Sequence, residues 1–298
     1  MIIYLAATMH RESQDLGFLD ANGLENFLEK KKLLKYFKKK RKKIFLDSGA
    51  FSAYTRGKEV NLDEYIEFIK EYKNKIGTYV NLDVIGSPEG TWKNQRYMEK
   101  KGLMPLPVWH PPFEDLDILQ KYVDAGYDYI GFGGLAKNEV PERITIGRLD
   151  KAFRITQEKG IRIHGFGMTS QELMKKYPWF SVDSTTWTIA SAMGTIIMDK
   201  KTFPECYSPW FRNIPTRLIV SERREHEKTY IKKLPLKVQK VIKKRLQDWG
   251  QQYFDDPERY PFEELRVNYY MRCEFNTIFF LEFERLWKWE PTTYRSFV

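Results

Sequence analysis

Cysteine is scarce in this chain of 298 residues, which has only two, and long hydrophobic runs are missing. Two cysteines exclude a disulfide scaffold and are typical of a reducing compartment. No apolar run approaches the roughly 18 residues that a membrane-spanning helix needs. The apolar N-terminal stretch is too short for a signal peptide and follows no basic segment. We therefore expect a cytoplasmic protein with no membrane partner.

Aromatic residues, by contrast, are plentiful. The chain has 20 Phe, 18 Tyr and 8 Trp, and 42% of its residues are hydrophobic. So many large apolar side chains need a core, which excludes disorder as the main state. The length allows one large domain or two small ones to bury most of this apolar surface.

Positive charge is concentrated in two segments. Lys and Arg total 50 against 40 Asp and Glu, so the net charge is +10. Residues 30–43 hold ten Lys or Arg in fourteen positions, and residues 217–245 hold eleven against three Glu. A single charge run is often only a solvated helix face. Two basic runs in a basic chain favour a polyanionic partner, and we expect nucleic acid.

Short β-rich runs recur along the first 200 residues, and most are separated by segments with helical periodicity. The eight predicted strands are residues 2–7, 43–46, 77–82, 103–109, 127–132, 161–165, 180–182 and 195–198. Strand and helix in alternation predict an α/β fold with a parallel sheet. Eight strands in this order predict a (β/α)8 TIM-like barrel, with a doubly wound sheet as the alternative.

The pattern changes after the last predicted strand. Prolines and aromatic residues mark a looping connection, followed by a basic helical segment and an aromatic-rich tail. We therefore expect a catalytic barrel domain over residues 1–200. Residues 201–298 are predicted to be a helical, aromatic-rich extension packed on the barrel.

Carboxylates, histidines and glycines collect where the predicted strands end. These segments are DSGAF (47–51), DVIG (83–86), WHPP (109–112), GFGGLA (131–136), HGFG (164–167) and DSTTW (183–187). One such segment alone is typical of an Asp that caps a helix. Six of them predict the rim of an active site, because the carboxyl ends of barrel strands meet on one face.

Three aspartates in these segments, Asp47, Asp83 and Asp183, follow apolar strands. Paired carboxylates suit chemistry at a sugar anomeric carbon, where one attacks and another moves protons. A glycosidase and a base-exchange enzyme acting on nucleosides would both use such a pair. A Mg²⁺ site in a phosphate-handling barrel would also use clustered Asp. Spacing alone leaves these three interpretations open.

In this order, DSGAF, NLDVIG, GFGGLA, HGFGMT and VDSTTW resemble the motifs of the tRNA-guanine transglycosylase superfamily. The likeness is to its phage and bacterial branch, which modifies DNA with 7-deazaguanines. It covers residues 44–187 and depends on the joint occurrence of the motifs, each at a strand end. If a phage encodes the chain, the expected location becomes the host cytoplasm.

The resemblance implies roles for individual residues. Asp183 matches the nucleophile that attacks C1′ of the target guanosine, and Asp47 matches the acid/base that protonates the leaving base. Asp83 matches the carboxylate that binds the Watson–Crick edge of the purine. The other base-binding positions that the resemblance implies are Ser48, Gly49, Phe51, Trp109, Gly133, Gly134, Leu135, His164 and Gly165.

The sequence also departs from the family. The usual zinc site of three closely spaced Cys and a His is missing, since Cys206 and Cys273 lie 67 positions apart with His226 between them. We expect no structural zinc and no catalytic metal. The family's base-binding Gln gives way to VWHPP, where His110 is the candidate substitute. Nothing matches the RNA-binding domain that archaeal relatives carry, which favours DNA over tRNA.

The expected activity is therefore that of a pentosyltransferase that exchanges guanine in DNA for a 7-deazaguanine such as preQ0. The free base is a co-substrate, and no redox or nucleotide cofactor is expected. The alternatives are exchange in tRNA, a glycoside hydrolase using Asp47 and Asp183, and a non-catalytic nucleic-acid-binding barrel. Another candidate for the barrel mouth is His10. The sequence does not specify an oligomeric state.

Overall fold

The computed structural model describes residues 1–6, 22–39, 43–135, 142–168, 170–207 and 216–287. Residue contacts divide the chain into two compact units at the peptide bond between Ser184 and Thr185. The first unit contains the first strand and Asn22–Ser184, and the second contains Thr185–Trp287. The predicted domain boundary at residue 200 lies inside the second unit.

Eight strands form one all-parallel sheet in the first unit. They are β1 (Ile2–Ala6), β2 (Asn22–Asn26), β3 (Ile44–Asp47), β4 (Ile76–Tyr79), β5 (Val108–Trp109), β6 (Tyr129–Phe132), β7 (Arg162–Gly165) and β8 (Ser181–Ser184). The order is β4-β3-β2-β1-β8-β7-β6-β5, so β1 and β8 pair in the middle and β4 and β5 are the edges. The predicted α/β class with a parallel sheet is confirmed.

The two edge strands approach each other through one isolated bridge. Val80, directly after β4, pairs in parallel with Leu106, which precedes β5. The Asn81 amide donates to the Leu106 carbonyl at 2.9 Å, and the Leu106 amide donates to the Tyr79 carbonyl at 2.8 Å. The sheet is therefore curled and compatible with a TIM-like fold. Within the described ranges, however, no continuous ladder closes it into a full barrel.

From β2 onward, helices connect consecutive strands, as the periodicity predicts. They are α1 (Lys30–Lys39), α2 (Ala50–Thr55), α3 (Leu62–Glu71), α4 (Pro88–Lys100), α5 (Leu116–Asp124), α6 (Glu142–Glu158) and α7 (Gln171–Lys176). The amphipathic α3 begins at Asn61, whose side chain accepts the Glu64 amide, and it buries Tyr65 and Ile69. Burial of such stripes against the strands stabilises the outer layer of the first unit.

Two strand assignments from the sequence are wrong. Residues 22–26 form β2, although the segment NGLEN contains no β-branched residue. Its parallel pairing with β1 and β3 on both sides outweighs this weak propensity. Residues 195–198 do not join the parallel sheet. Instead β9 (Thr195–Ile197) pairs antiparallel with β10 (Arg217–Ile219) in the second unit.

The second unit contains the two-stranded sheet of β9 and β10 and four helices. These are α8 (Thr186–Ala192), α9 (Leu236–Phe254), α10 (Phe262–Val267) and α11 (Tyr269–Leu286). Within this unit, the buried Asn276 side chain of α11 accepts the Ile197 amide at 2.8 Å and donates to Ser191 Oγ at 2.9 Å. The predicted helical, aromatic-rich C-terminal region is present. None of the helices in the described part of the chain is both long and apolar enough to cross a membrane.

Candidate active site

Strand alternation decides which side chains face the concave side of the curled sheet. Phe45 and Val108 join a core cluster drawn from strands on both sides of the sheet, whereas Leu46 packs in a separate cluster with the helices. Successive side chains of a strand point to opposite faces. Asp47 lies two positions after Phe45 and His110 lies two positions after Val108, so both face the concave side of the sheet.

Three carboxylates meet at the carboxyl end of this sheet. Asp47 ends β3, Asp83 follows β4, and Asp183 lies in β8 with only 5% of its surface exposed. Burial raises the pKa of Asp47 to about 7, with further contributions from the negative charges of Asp183 and then Asp83. Sequence reasoning predicted these three residues as the chemical centre, and the structure brings them together.

Asp47 is held by groups from β2 and from the turn that follows β3. The Asn26 side-chain amide donates to Asp47 Oδ2 at 3.4 Å and to Ser52 Oγ at 3.2 Å. Gly49 has a φ of 80°, and a Cβ there would collide with Asn26 Oδ1. Glycine is therefore required where the chain turns from β3 into α2. The buried Ser48 hydroxyl accepts the Ala50 amide at 3.4 Å in the same turn.

Asp183 contacts two N–H donors through the same oxygen. The Gly167 amide donates to Asp183 Oδ1 at 3.0 Å, and His164 Nε2 lies 3.3 Å from that oxygen. His164 is fully buried, and its Nδ1 lies 2.8 Å from Ser181 Oγ. Burial lowers the pKa of His164, although the neighbouring Asp183 charge opposes the change. His164 is therefore neutral at pH 7.

Asp83 faces a different kind of histidine. His110 Nε2 lies 3.5 Å from Asp83 Oδ2, and His110 Nδ1 lies 3.0 Å from Glu114 Oε1. Burial alone would lower the pKa of His110, but its hydrogen bonds and charge interactions with Asp83 and Glu114 outweigh burial and raise it to about 10. His110 is therefore an imidazolium at pH 7. Both of its nitrogens face carboxylates, and its expected role in place of a base-binding Gln stays a prediction.

The other oxygen of Asp83 is a buried acceptor with no hydrogen-bond partner in the described part of the chain. Buried polar atoms are usually paired, so an unpaired carboxylate oxygen indicates a place for a donor from a ligand. Gly133 is buried, and a Cβ there would come within 2.8 Å of His110 Nε2. Gly134 has a φ of 74° and approaches the Phe113 ring, and Leu135 is half-buried. Glycine is therefore required at both positions after β6.

Two predicted base-binding residues, Trp109 and Gly165, pack against aromatic rings of the buried layer. Trp109 is fully buried, packs edge-on against Phe132, and donates its indole N–H to the Asp115 carbonyl at 3.0 Å. As the strand neighbour of His110 it points to the opposite face, which corrects the expectation that it stacks on a base. The Cβ direction of Gly165 is filled by the Trp179 ring at 3.0 Å. Phe51 is 48% exposed on α2.

Sequence reasoning missed several residues of the site. Asn26 was hidden because β2 was not predicted as a strand. Glu114 follows His110 by four residues, a spacing that brings two side chains together in a helical turn. This spacing could have identified Glu114 as a partner of His110. Tyr129 and Ser181 look like ordinary strand residues, and only the strand register places their hydroxyls 2.6 Å apart.

The described residues show no group of three His, Cys, Asp or Glu arranged to hold a metal ion. Cys206 and Cys273 are both buried in the second unit, and they form no disulfide with each other. His226 lies in the same unit. His10 lies outside the described residues.

The basic runs form part of two helices. In α1, Lys30 pairs with Glu64 and Lys32 pairs with Glu29 at 2.8 Å. In α9, Lys244 pairs with Asp248 at 2.7 Å, so some of the positive charge in each run is already neutralised. Residues 40–42 of the first run lie outside the described ranges.

Comparison with models of known protein families gives no match for this chain, and no curated protein matches it significantly.

Proposed function

We propose that this protein is a transglycosylase that exchanges guanine in DNA for a 7-deazaguanine base such as preQ0, through a covalent bond to Asp183. One observation carries the proposal. Burial and then the charge of the nearby Asp183 raise the pKa of Asp47 to about 7, while Asp183 Oδ1 accepts the Gly167 amide and lies 3.3 Å from His164 Nε2. One ionised carboxylate beside one carboxyl that titrates near neutral pH suits double displacement at an anomeric carbon.

In the first step, an oxygen of Asp183 forms a bond to C1′ of the target nucleotide while the C1′–N9 bond breaks. The electron pair of that bond goes to the base, which takes a proton from Asp47. A pKa of about 7 lets Asp47 carry this proton at neutral pH and accept one afterwards. In the second step the incoming base loses a proton to Asp47 and displaces Asp183.

The unpaired oxygen of Asp83 supports a base-binding role on the other side of the site. Guanine and its 7-deaza analogues present neighbouring N–H groups on their Watson–Crick edge, and Asp83 Oδ1 is a buried acceptor for one of them. His110 binds the second oxygen of the same carboxylate. The resemblance in motif order assigns the backbone of Gly133, Gly134 and Leu135 to the contact with the base.

The polymer is assigned from the sequence. The two basic runs suit phosphate neutralisation, and a base attacked at C1′ must leave its stack first. The cysteines Cys206 and Cys273 do not have the spacing of the family's zinc site, and this favours DNA over tRNA. The chemistry proposed here uses the chain's own carboxylates, with the free base as co-substrate.

Adduct trapping tests this proposal. The protein is mixed with single-stranded DNA, double-stranded DNA and tRNA, with and without preQ0, and denaturation-resistant adducts and labelled guanine release are measured. We expect a DNA adduct that Asp183→Asn and Asp183→Ala abolish, with exchange reduced by roughly a thousandfold or more. The exposed carboxylate variant Glu172→Asn is the matched control and should exchange normally.

Each outcome moves the assignment in a defined way. An adduct with tRNA alone keeps the mechanism and changes the polymer. Turnover of carbohydrate without base exchange would identify a glycoside hydrolase using the same carboxylates, and exchange at the wild-type rate in Asp183→Ala would show that another group attacks. The adduct should also form more slowly as the pH rises through about 7, because Asp47 then loses the proton that the leaving base needs.

A further inference from the structure

A continuous chain of hydrogen bonds runs along the concave side of the sheet and ends at Asp183. The Tyr129 hydroxyl lies 2.6 Å from Ser181 Oγ, and Ser181 Oγ lies 2.8 Å from His164 Nδ1. His164 Nε2 lies 3.3 Å from Asp183 Oδ1. Tyr129 and Ser181 begin β6 and β8, so the chain starts at the amino ends of the strands.

The chemistry of these groups gives the chain a direction. An ionised carboxylate only accepts, so His164 Nε2 must carry the hydrogen that faces Asp183. His164 is neutral because burial lowers its pKa, and a neutral imidazole with a proton on Nε2 has a bare Nδ1. The Ser181 hydroxyl must therefore donate to Nδ1, and its oxygen accepts from Tyr129.

The same chain distinguishes the two oxygens of Asp183. Oδ1 accepts from His164 and from the Gly167 amide at 3.0 Å. Within the described ranges no donor contacts Oδ2. Two N–H donors draw electron density from Oδ1 and prevent the carboxylate from rotating, so the lone pairs of Oδ2 are the ones available for bond formation.

We propose that Tyr129, Ser181 and His164 are positioning residues that select Oδ2 of Asp183 as the attacking atom. This inference rests on the proposed function. In the balanced step, Oδ2 forms the bond to C1′, the C1′–N9 bond breaks, and its electron pair accepts the proton of Asp47. His164 touches neither the sugar nor the base in this scheme and acts through Asp183.

Aromatic packing holds the imidazole in this orientation. The His164 ring lies 4.4 Å from the Phe166 ring and 4.6 Å from the Phe45 ring, measured between centroids. The Tyr4 ring lies 6.0 Å away, and no part of His164 is exposed. A ring enclosed in this way cannot exchange its two nitrogens by rotation without disturbing its neighbours.

Conservative substitutions test the selection of Oδ2. Gln keeps an N–H at the position of His164 Nε2, whereas Met keeps the volume without a donor. We expect His164→Gln to form the DNA adduct at a rate within about tenfold of the wild type. His164→Met should form the adduct roughly ten- to hundredfold more slowly than the wild type, and KM should be unchanged in both variants. Equal rates in these two variants would overturn the inference.

Ser181→Ala and Tyr129→Phe test the rest of the chain and should slow adduct formation by roughly three- to tenfold each. Thr156→Val and Tyr177→Phe are matched controls, because they remove hydroxyls that bond within the helical layer, to the Ala152 carbonyl and to Asp150. These controls should exchange at the wild-type rate. Thermal melting of all six variants separates loss of folding from loss of rate.

A spectroscopic measurement tests the chain without any substrate. The ¹⁵N NMR signals of the His164 ring, assigned by their loss in His164→Gln, should show a proton on Nε2 alone at pH 7 to 8. Ser181→Ala should broaden or move the Nδ1 signal. A proton on Nδ1, or a charged ring, in the wild-type protein would refute the inference. A correct ring state with no adduct on any polymer would instead refute the proposed function.

Discussion

The site contains two aspartate–histidine pairs of the same composition and opposite charge state. His164 beside Asp183 is neutral, because burial lowers its pKa and the opposing effect of Asp183 is smaller. His110 beside Asp83 is protonated, with a pKa raised to about 10. The difference comes from the second neighbour of each ring. Glu114 accepts from His110, whereas Ser181 donates to His164.

This comparison shows that an aspartate next to a histidine does not by itself determine the charge of either. The second carboxylate, Glu114, favours the cationic form of His110, whose positive charge offsets the charge of Asp83. The Ser181 hydroxyl leaves His164 neutral, so the charge of Asp183 is not offset by its histidine. Both aspartates also act on Asp47: after burial, the charge of Asp183 makes the larger contribution to its raised pKa and the charge of Asp83 the smaller one.

Removing the second carboxylate should reduce the difference in pKa between the two rings. In Glu114→Gln the His110 ring loses one of its two anionic partners, and we expect its pKa to fall by roughly one to three pH units. The His110 signal can be followed by NMR titration and assigned with His110→Gln. The exposed variant Glu172→Gln is the control and should leave the titration unchanged. An unaltered His110 titration in Glu114→Gln would show that Asp83 alone holds the proton.

The next effect concerns stability. The folded protein holds the Asp47 proton up to a pKa of about 7, against 3.8 for an ordinary Asp, so it binds more protons than the unfolded chain between these values. The proton on Asp47 therefore stabilises the folded protein fully below pH 3.8, and this stabilisation is lost as the pH rises through about 7. Asp47→Asn should therefore gain on the order of 1–3 kcal/mol at pH 8.

Urea unfolding at pH 4 and pH 8 measures this gain, and the same variant should lose base exchange by roughly a hundredfold or more. The exposed variant Asp117→Asn serves as the control for a general charge effect. A gain of equal size in Asp117→Asn would contradict the assignment to Asp47.

The smallest expected effect separates the two aspartates themselves. Both Asp183→Asn and Asp83→Asn remove a negative charge near Asp47 and should lower the pKa of Asp47. The change should be larger for Asp183→Asn, because the charge of Asp183 makes the larger contribution. Carboxyl ¹³C titration of labelled Asp gives both values. A larger change in Asp83→Asn would mean that the His110 cation compensates less charge than the structure indicates.

Much of this arrangement could be predicted from local patterns. The alternation of apolar strands with amphipathic segments predicted the parallel sheet, and polar residues at strand ends predicted Asp47, Asp83 and Asp183. These features are local in sequence, since each requires only the residues of one strand or helix. The resemblance in motif order assigned roles to the same three residues.

What could not be predicted depends on register between distant segments. The strand β2 is held by its two neighbours and not by its own propensity, so Asn26 could not be placed beside Asp47. The Tyr129–Ser181 contact joins residues 52 positions apart. Trp109 was assigned to the site from the resemblance, although its strand neighbour His110 faces the concave side and adjacent strand residues face opposite sides.

The isolated bridge between Val80 and Leu106 also has a mechanical consequence. It is the narrowest junction in the sheet, because the described residues of the two edges share no longer ladder there. Asp83 and His110 follow these two edge strands, so their ion pair at 3.5 Å connects the two edges of the sheet. Local opening of the sheet would begin at this junction, and it would separate the Asp83 carboxylate from its cation before any other part of the site came apart.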